Sequence, residues 1–133
     1  MNADPIAAEF TLICPAVPSS AGLARRFLSL LLAEDEFSGF RDAASLVLTE
    51  LVANALPSAG PVSVTVGLGP GGLVLSVTDT ADGHPVPRVP ALDEESGRGL
   101  LLVGRLATKW DWYPLPNGGK TVFARFDRPL PVS

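Results

Sequence analysis

Residues 40–60, FRDAASLVLTELVANALPSAG, decide how this chain is read. At 100° per residue Ala44, Val47, Leu48, Leu51 and Ala55 fall on one stripe, which predicts a core-facing helix. Pro57 must close that helix soon after Ala55, because proline cannot sustain a helix interior. Glu50 and Asn54 are four apart and so lie on neighbouring turns of one face, at the shoulder of the apolar stripe. Taken alone they are a polar pair at a core edge. They could also hold a hard cation through oxygen and polarise a hydroxyl or a water.

Working outward, residues 9–14, EFTLIC, read as a short strand stopped by Pro15. Ser19 and Ser20 are good N-caps for a helix through ARRFLSLLLAE, whose expected buried stripe is Leu23, Phe27, Leu30 and Leu31. A turn at 36–39 leads into the organising helix. Downstream, Val62, Val64 and Val66 alternate with Ser63 and Thr65, a half-buried strand of period two. GLGPGG turns the chain, and residues 73–78 return as the hairpin partner. From 79 to 98 no periodicity survives, and loops that long in compact domains are usually functional or mobile. A third helix opens at Gly99, followed by strands at 109–113 and 120–126 joined through Asn117, Gly118 and Gly119. The residues after Asp127 read as a loose, proline-rich tail. The order β-α-α-β-β-α-β-β predicts an α+β two-layer sandwich: a mostly antiparallel, mixed sheet with three helices on one face.

The 133 residues suit one domain, 1–133 with a core over about 9–126, able to bury roughly two-thirds of its unfolded-chain surface. A net charge of −4 argues against a nucleic-acid binder, since no basic stripe is present to displace counterions. No apolar run approaches the ~18 residues a bilayer span needs, and the N-terminus is acidic where a signal peptide is basic. The single cysteine, Cys14, excludes an internal disulfide and suits a reducing compartment, so a cytoplasmic location is expected.

Several further residues carry signals that are weak singly. Asp79 ends a strand and Gly83 follows it. Gly97-Arg98-Gly99 stands directly before a helix, where free N–H groups can meet an anion, and GGKT at 118–121 leads into the last strand. In this order and spacing the set resembles the GHKL ATPase family, which includes histidine-kinase catalytic domains, heat-shock chaperones of ninety kilodaltons and DNA gyrase. The segment ESGRGLLLVGRLATKWDWYPLPNGGKTVFARF is especially similar to the C-terminal block of the small RsbW-type anti-sigma serine kinases and their actinobacterial relatives. The resemblance covers about residues 9–126 and implies the Bergerat ATP-binding fold.

It also implies roles. Asp79 would accept a hydrogen bond from the adenine N6 amine, and Thr121 would hold the same base edge through a water. Asn54 would give its amide oxygen to Mg²⁺, the one metal contact expected from the protein. Gly97, Arg98 and Gly99, with Leu100 beside them, would cradle the phosphates, and residues 80–96 would form a lid. Gly83 keeps the second glycine of the family's D-x-G-x-G, while Ala81 replaces the first. Glu50 would be the catalytic base toward a serine or threonine hydroxyl. The family often has a basic residue shortly after the helix Asn, and here Leu56-Pro57-Ser58 stands there. His84, the only histidine, sits beside Pro85 in the lid region and not on a dimerisation helix, so a phospho-relay is rejected.

The expected ligands are therefore ATP and Mg²⁺. The expected partner is a protein, either a sigma factor or an anti-anti-sigma-like regulator, and a homodimer is compatible with the resemblance. No nucleic acid or membrane is expected. Three functions stay open at this point: a serine/threonine protein kinase with anti-sigma action, a non-catalytic ATP–Mg²⁺ module, and a scaffold that binds no nucleotide.

Overall fold

The computed structural model of the chain describes residues 7–81 and 99–128. Along them run β1 (Ala8–Cys14), α1 (Ser20–Leu31), a 3-10 helix (Asp35–Phe40), α2 (Arg41–Asn54), β2 (Val62–Gly69), β3 (Gly72–Asp79), α3 (Gly99–Leu106), β4 (Lys109–Pro114) and β5 (Lys120–Asp127). The strands form one sheet in the order β1-β2-β3-β5-β4, and all four pairings are antiparallel. The fold is the expected α+β sandwich, and its described strands contain no parallel pair.

Period-two patterning explains where the core sits. Val62, Val64 and Val66 of β2, Leu73, Leu75 and Val77 of β3, and Val122, Ala124 and Phe126 of β5 are all buried. Register aligns them, because Val64 lies opposite Val77, Val77 opposite Val122, Leu75 opposite Ala124 and Leu73 opposite Phe126. Opposed residues share a face, so these rows make one apolar surface, and the helices cover it. Central in the helix layer is α2, which touches α1, α3, β3 and β5. Its stripe of Ala44, Val47, Leu48, Leu51 and Ala55 is wholly buried.

In α1 the structure corrects the expected phase. Of the expected stripe Phe27 and Leu31 are partly buried against the core, but Leu23 is 45% and Leu30 75% exposed, and the fully buried row is Ser20, Ala24 and Leu28, continued by Leu32 past the helix end. The apolar residues of α1 span an arc wider than the core face, so the pattern alone did not fix its centre. Packing against α2 selects it, and Ala24 allows the two helices to approach closely. The expected serine cap is also absent: Ser19 makes no side-chain cap hydrogen bond, and the Ser20 hydroxyl donates to the Pro15 carbonyl at 2.6 Å. Just past the other end of α1, the Arg41 guanidinium donates to the carbonyls of Leu32, Ala33 and Glu34. The expected turn at 36–39 is the 3-10 helix. Arg128, expected in a loose tail, is held there: it donates to the Glu36 carbonyl and stacks 5.0 Å over the Phe37 ring.

Candidate functional site

Of the candidate residues, Glu50, Asn54, Asp79, Gly99 and Leu100 lie toward one end of the sandwich, where α2 and β3 finish and α3 begins. A hydroxyl clamp ties the ends of α2 and β3 together. Thr80, directly after β3, accepts from the backbone N–H groups of Ala59 and Gly60 at 3.1 Å each, and its hydroxyl lies 2.8 Å from that of Ser58. The Ser58 hydroxyl in turn accepts from the Thr80 N–H at 3.0 Å and donates to the Gly60 carbonyl. Ser58 falls in the stretch where related chains often carry a cation. Here that stretch is structural, because Ser58 fastens the loop after α2 to the end of β3.

Asn54 is the last residue of α2, and its Oδ1 is a buried acceptor with no hydrogen-bond partner among the described residues. An unmatched buried acceptor costs ~1–3 kcal/mol, which a ligand can offset. One turn earlier Glu50, 9% exposed, turns toward the start of α3: a Cβ on Gly99 would stand 3.1 Å from Glu50 Oε2. Glycine at 99 therefore leaves room for the carboxylate beside the first turn of α3. Leu100 is buried in the same turn.

Asp79 closes β3 in phase with Leu73, Leu75 and Val77, so its carboxylate lies on the helix-covered face and is 2% exposed. Its Oδ1 accepts from the Ala81 N–H at 2.8 Å, an Asx turn. No non-glycine among the described residues has positive φ, so Ala81 meets no strain where the family often has glycine. Directly opposite Asp79 stands Lys120, 4% exposed, with Nζ 3.2 Å from Oδ1 and 3.0 Å from Oδ2. The Oδ2 contact is an ion pair but lies off the hydrogen-bond direction, so that oxygen keeps no directed hydrogen bond. Gly119, at φ +90°, makes the approach possible: a Cβ there would collide with the Asp79 carbonyl oxygen.

Thr121 differs from expectation. It pairs with Thr78 and not with Asp79, which places it on the opposite face of the sheet, its hydroxyl 2.8 Å from that of Thr78. The residue on the face of Asp79 is Lys120. Sequence reading missed it, although Lys120, Val122, Ala124 and Phe126 share one period-two row. Gly83, His84, Gly97 and Arg98, with nearly all of the expected lid, lie outside the described residues.

A family model described as the histidine kinase-like ATPase domain matches residues 14–126, most of the chain. The chain belongs to the histidine kinase-like ATPase family. The match spans from the end of β1 through β5, so every element that positions Glu50, Asn54, Gly99 and Asp79 falls within this histidine kinase-like ATPase domain. No curated protein is significantly similar to the chain. Membership supports ATP binding in a regulatory setting. Among the described residues, no helix is long and apolar enough to cross a membrane.

Proposed function

We propose that this histidine kinase-like ATPase domain binds ATP with Mg²⁺ between α2, α3 and the ends of β3 and β5. The observation that carries the reading is the orphaned Oδ1 of Asn54, one helical turn from a buried carboxylate that faces the glycine start of α3. That donor set fits an ATP-bound cation: a hard ion takes oxygen ligands, and Mg²⁺ commonly accepts few from protein and the rest from phosphates and water. Gly99 would bring backbone N–H groups to the phosphates, and Asp79 would accept from the adenine amine. Bound ATP supplies a transferable γ-phosphoryl group, and Mg²⁺ neutralises its charge.

The finer reading is a serine/threonine protein kinase of the RsbW type that modifies a small regulatory protein and so controls a sigma factor. Glu50 is the base. It would take the proton of the acceptor hydroxyl as oxygen bonds to phosphorus and ADP leaves, and Asn54 would hold the cation through its amide oxygen. Transfer of this kind depends mainly on positioning and charge stabilisation, so so small a set of residues is sufficient. No basic residue stands shortly after Asn54, where Leu56-Pro57-Ser58 runs, and Ser58 is committed to the Thr80 clamp, so one family source of charge stabilisation is missing.

The buried Asp79–Lys120 pair favours a second reading, in which that carboxylate is a structural partner and the chain works as a scaffold. Calorimetric titration with ATP and Mg²⁺ separates them, with saturable binding expected for the first and none for the second. For the kinase, Glu50→Gln keeps ATP binding and loses transfer of labelled γ-phosphate to a captured protein partner. If Glu50→Gln labels the partner as fast as wild type, Glu50 is not the base.

A further inference from the structure

We infer that Lys120 is a base-reading residue, donating to the N1 position of adenine while Asp79 accepts from the N6 amine. The inference rests on the ATP-binding reading above and concerns how the base is recognised. Three observations support it. Lys120 and Asp79 are cross-strand partners on the helix-covered face, at the end of the sheet where α2 finishes. The ammonium lies 3.0 and 3.2 Å from the two carboxylate oxygens, so the pair is preformed. Its hydrogen-bonding capacity is unfilled: Oδ2 has no directed hydrogen bond, and an ammonium with three donors has at least one to spare.

An acceptor beside a donor is what the Watson–Crick edge of adenine requires, since it offers an amine N–H next to a bare ring nitrogen. Guanine offers an oxygen and a ring N–H instead, so a base held with its six-position at Asp79 would put oxygen against carboxylate. Thr121, turned to the other face, cannot serve this edge. The pair also has a structural role, since each charge neutralises the other out of water. Both are buried in this structure, so the base reaches them only once they are uncovered. Once the base is docked, the low local dielectric strengthens both contacts.

The test compares ATP with 1-deaza-ATP, which carries C–H in place of N1, by calorimetry in the presence of Mg²⁺. Wild type should bind ATP about tenfold more tightly than 1-deaza-ATP, the size of a hydrogen bond to a charged group. Lys120→Met should bind ATP about tenfold more weakly and lose the discrimination, while Lys120→Gln, which keeps an N–H donor, should retain part of it. Thermal denaturation of each variant reports whether it is folded, and if Lys120→Met is not, the wild-type comparison decides. Equal wild-type affinity for the two nucleotides overturns the assignment and leaves ATP binding intact, as does a Lys120→Met variant that binds ATP as tightly as wild type or more so. Wild type that binds neither nucleotide overturns the ATP-binding reading and this one with it.

Discussion

Asn54 and Asp79 behave differently as single residues. The Asn54 amide oxygen is buried without a hydrogen-bond partner among the described residues, so its desolvation cost is not offset there. Asn54→Ala should therefore leave the nucleotide-free protein as stable as wild type or raise its melting temperature, alanine also being the better helix former. The same substitution should weaken ATP binding in Mg²⁺ and leave binding in EDTA nearly unchanged. A loss of stability without nucleotide would mean the amide is structural. Asp79 is bound into the fold through Lys120 and the Ala81 N–H. Asp79→Ala strands a buried ammonium and should cost about 3–5 kcal/mol in urea unfolding, with much of that recovered when Lys120→Met is added. A substitution at Asp79 thus reports base recognition only when stability is measured beside it.

The elements are positioned by a few local contacts rather than by propensity alone. Gly119 permits β5 to start against the Asp79 carbonyl, and its φ of +90° is one that side chains rarely adopt. Gly119→Ala should cost ~1–3 kcal/mol by chemical denaturation, as for a forced left-handed backbone, and displace Lys120 from Asp79. Arg41 closes α1 by donating to three successive carbonyls. Arg41→Ala should expose the end of α1 to faster amide exchange, while exchange in β3 and β5 stays as it was. The core face of α2 was legible from the spacing of Ala44, Val47, Leu48 and Leu51, although Val52 beside that stripe is also buried and Leu46 is exposed. The phase of α1 was not, because Leu23, Phe27, Leu28, Leu30 and Leu31 spread over one apolar arc wider than the face the core covers. Only the partner helix fixes which part is covered, burying Leu28 and Leu32 and leaving Leu30 in water.

For the molecule as a whole, the end of α2 and the end of β3 must stay together if Asn54 and Asp79 are to serve one ligand. The Ser58–Thr80 clamp does this, joining two loops more than twenty residues apart in sequence. Thr80→Val keeps the shape and removes the acceptor shared by the Ala59 and Gly60 N–H groups. Stability should fall by about 1–3 kcal/mol, and exchange at those two amides should accelerate ahead of the sheet. Nucleotide affinity should fall with it, since the two halves of the site would no longer be held in register. If affinity is unchanged while both amides exchange faster, the clamp does not position the site.

Local patterning determined the element order, the buried face of α2, the alternation of β2 and β3, and the nearness of Glu50 to Asn54, because those depend on periods of 3.6 and two within one segment. The same alternation placed Asp79 and Lys120 in phase with apolar rows, though nothing local said that the two rows meet. Tertiary structure decided that: β3 and β5 are separated by α3 and β4, so no hairpin turn fixes their register. Their pairing sets Lys120, and not Thr121, against Asp79. A shift of one residue would have exchanged the two, since successive side chains on a strand point to opposite faces.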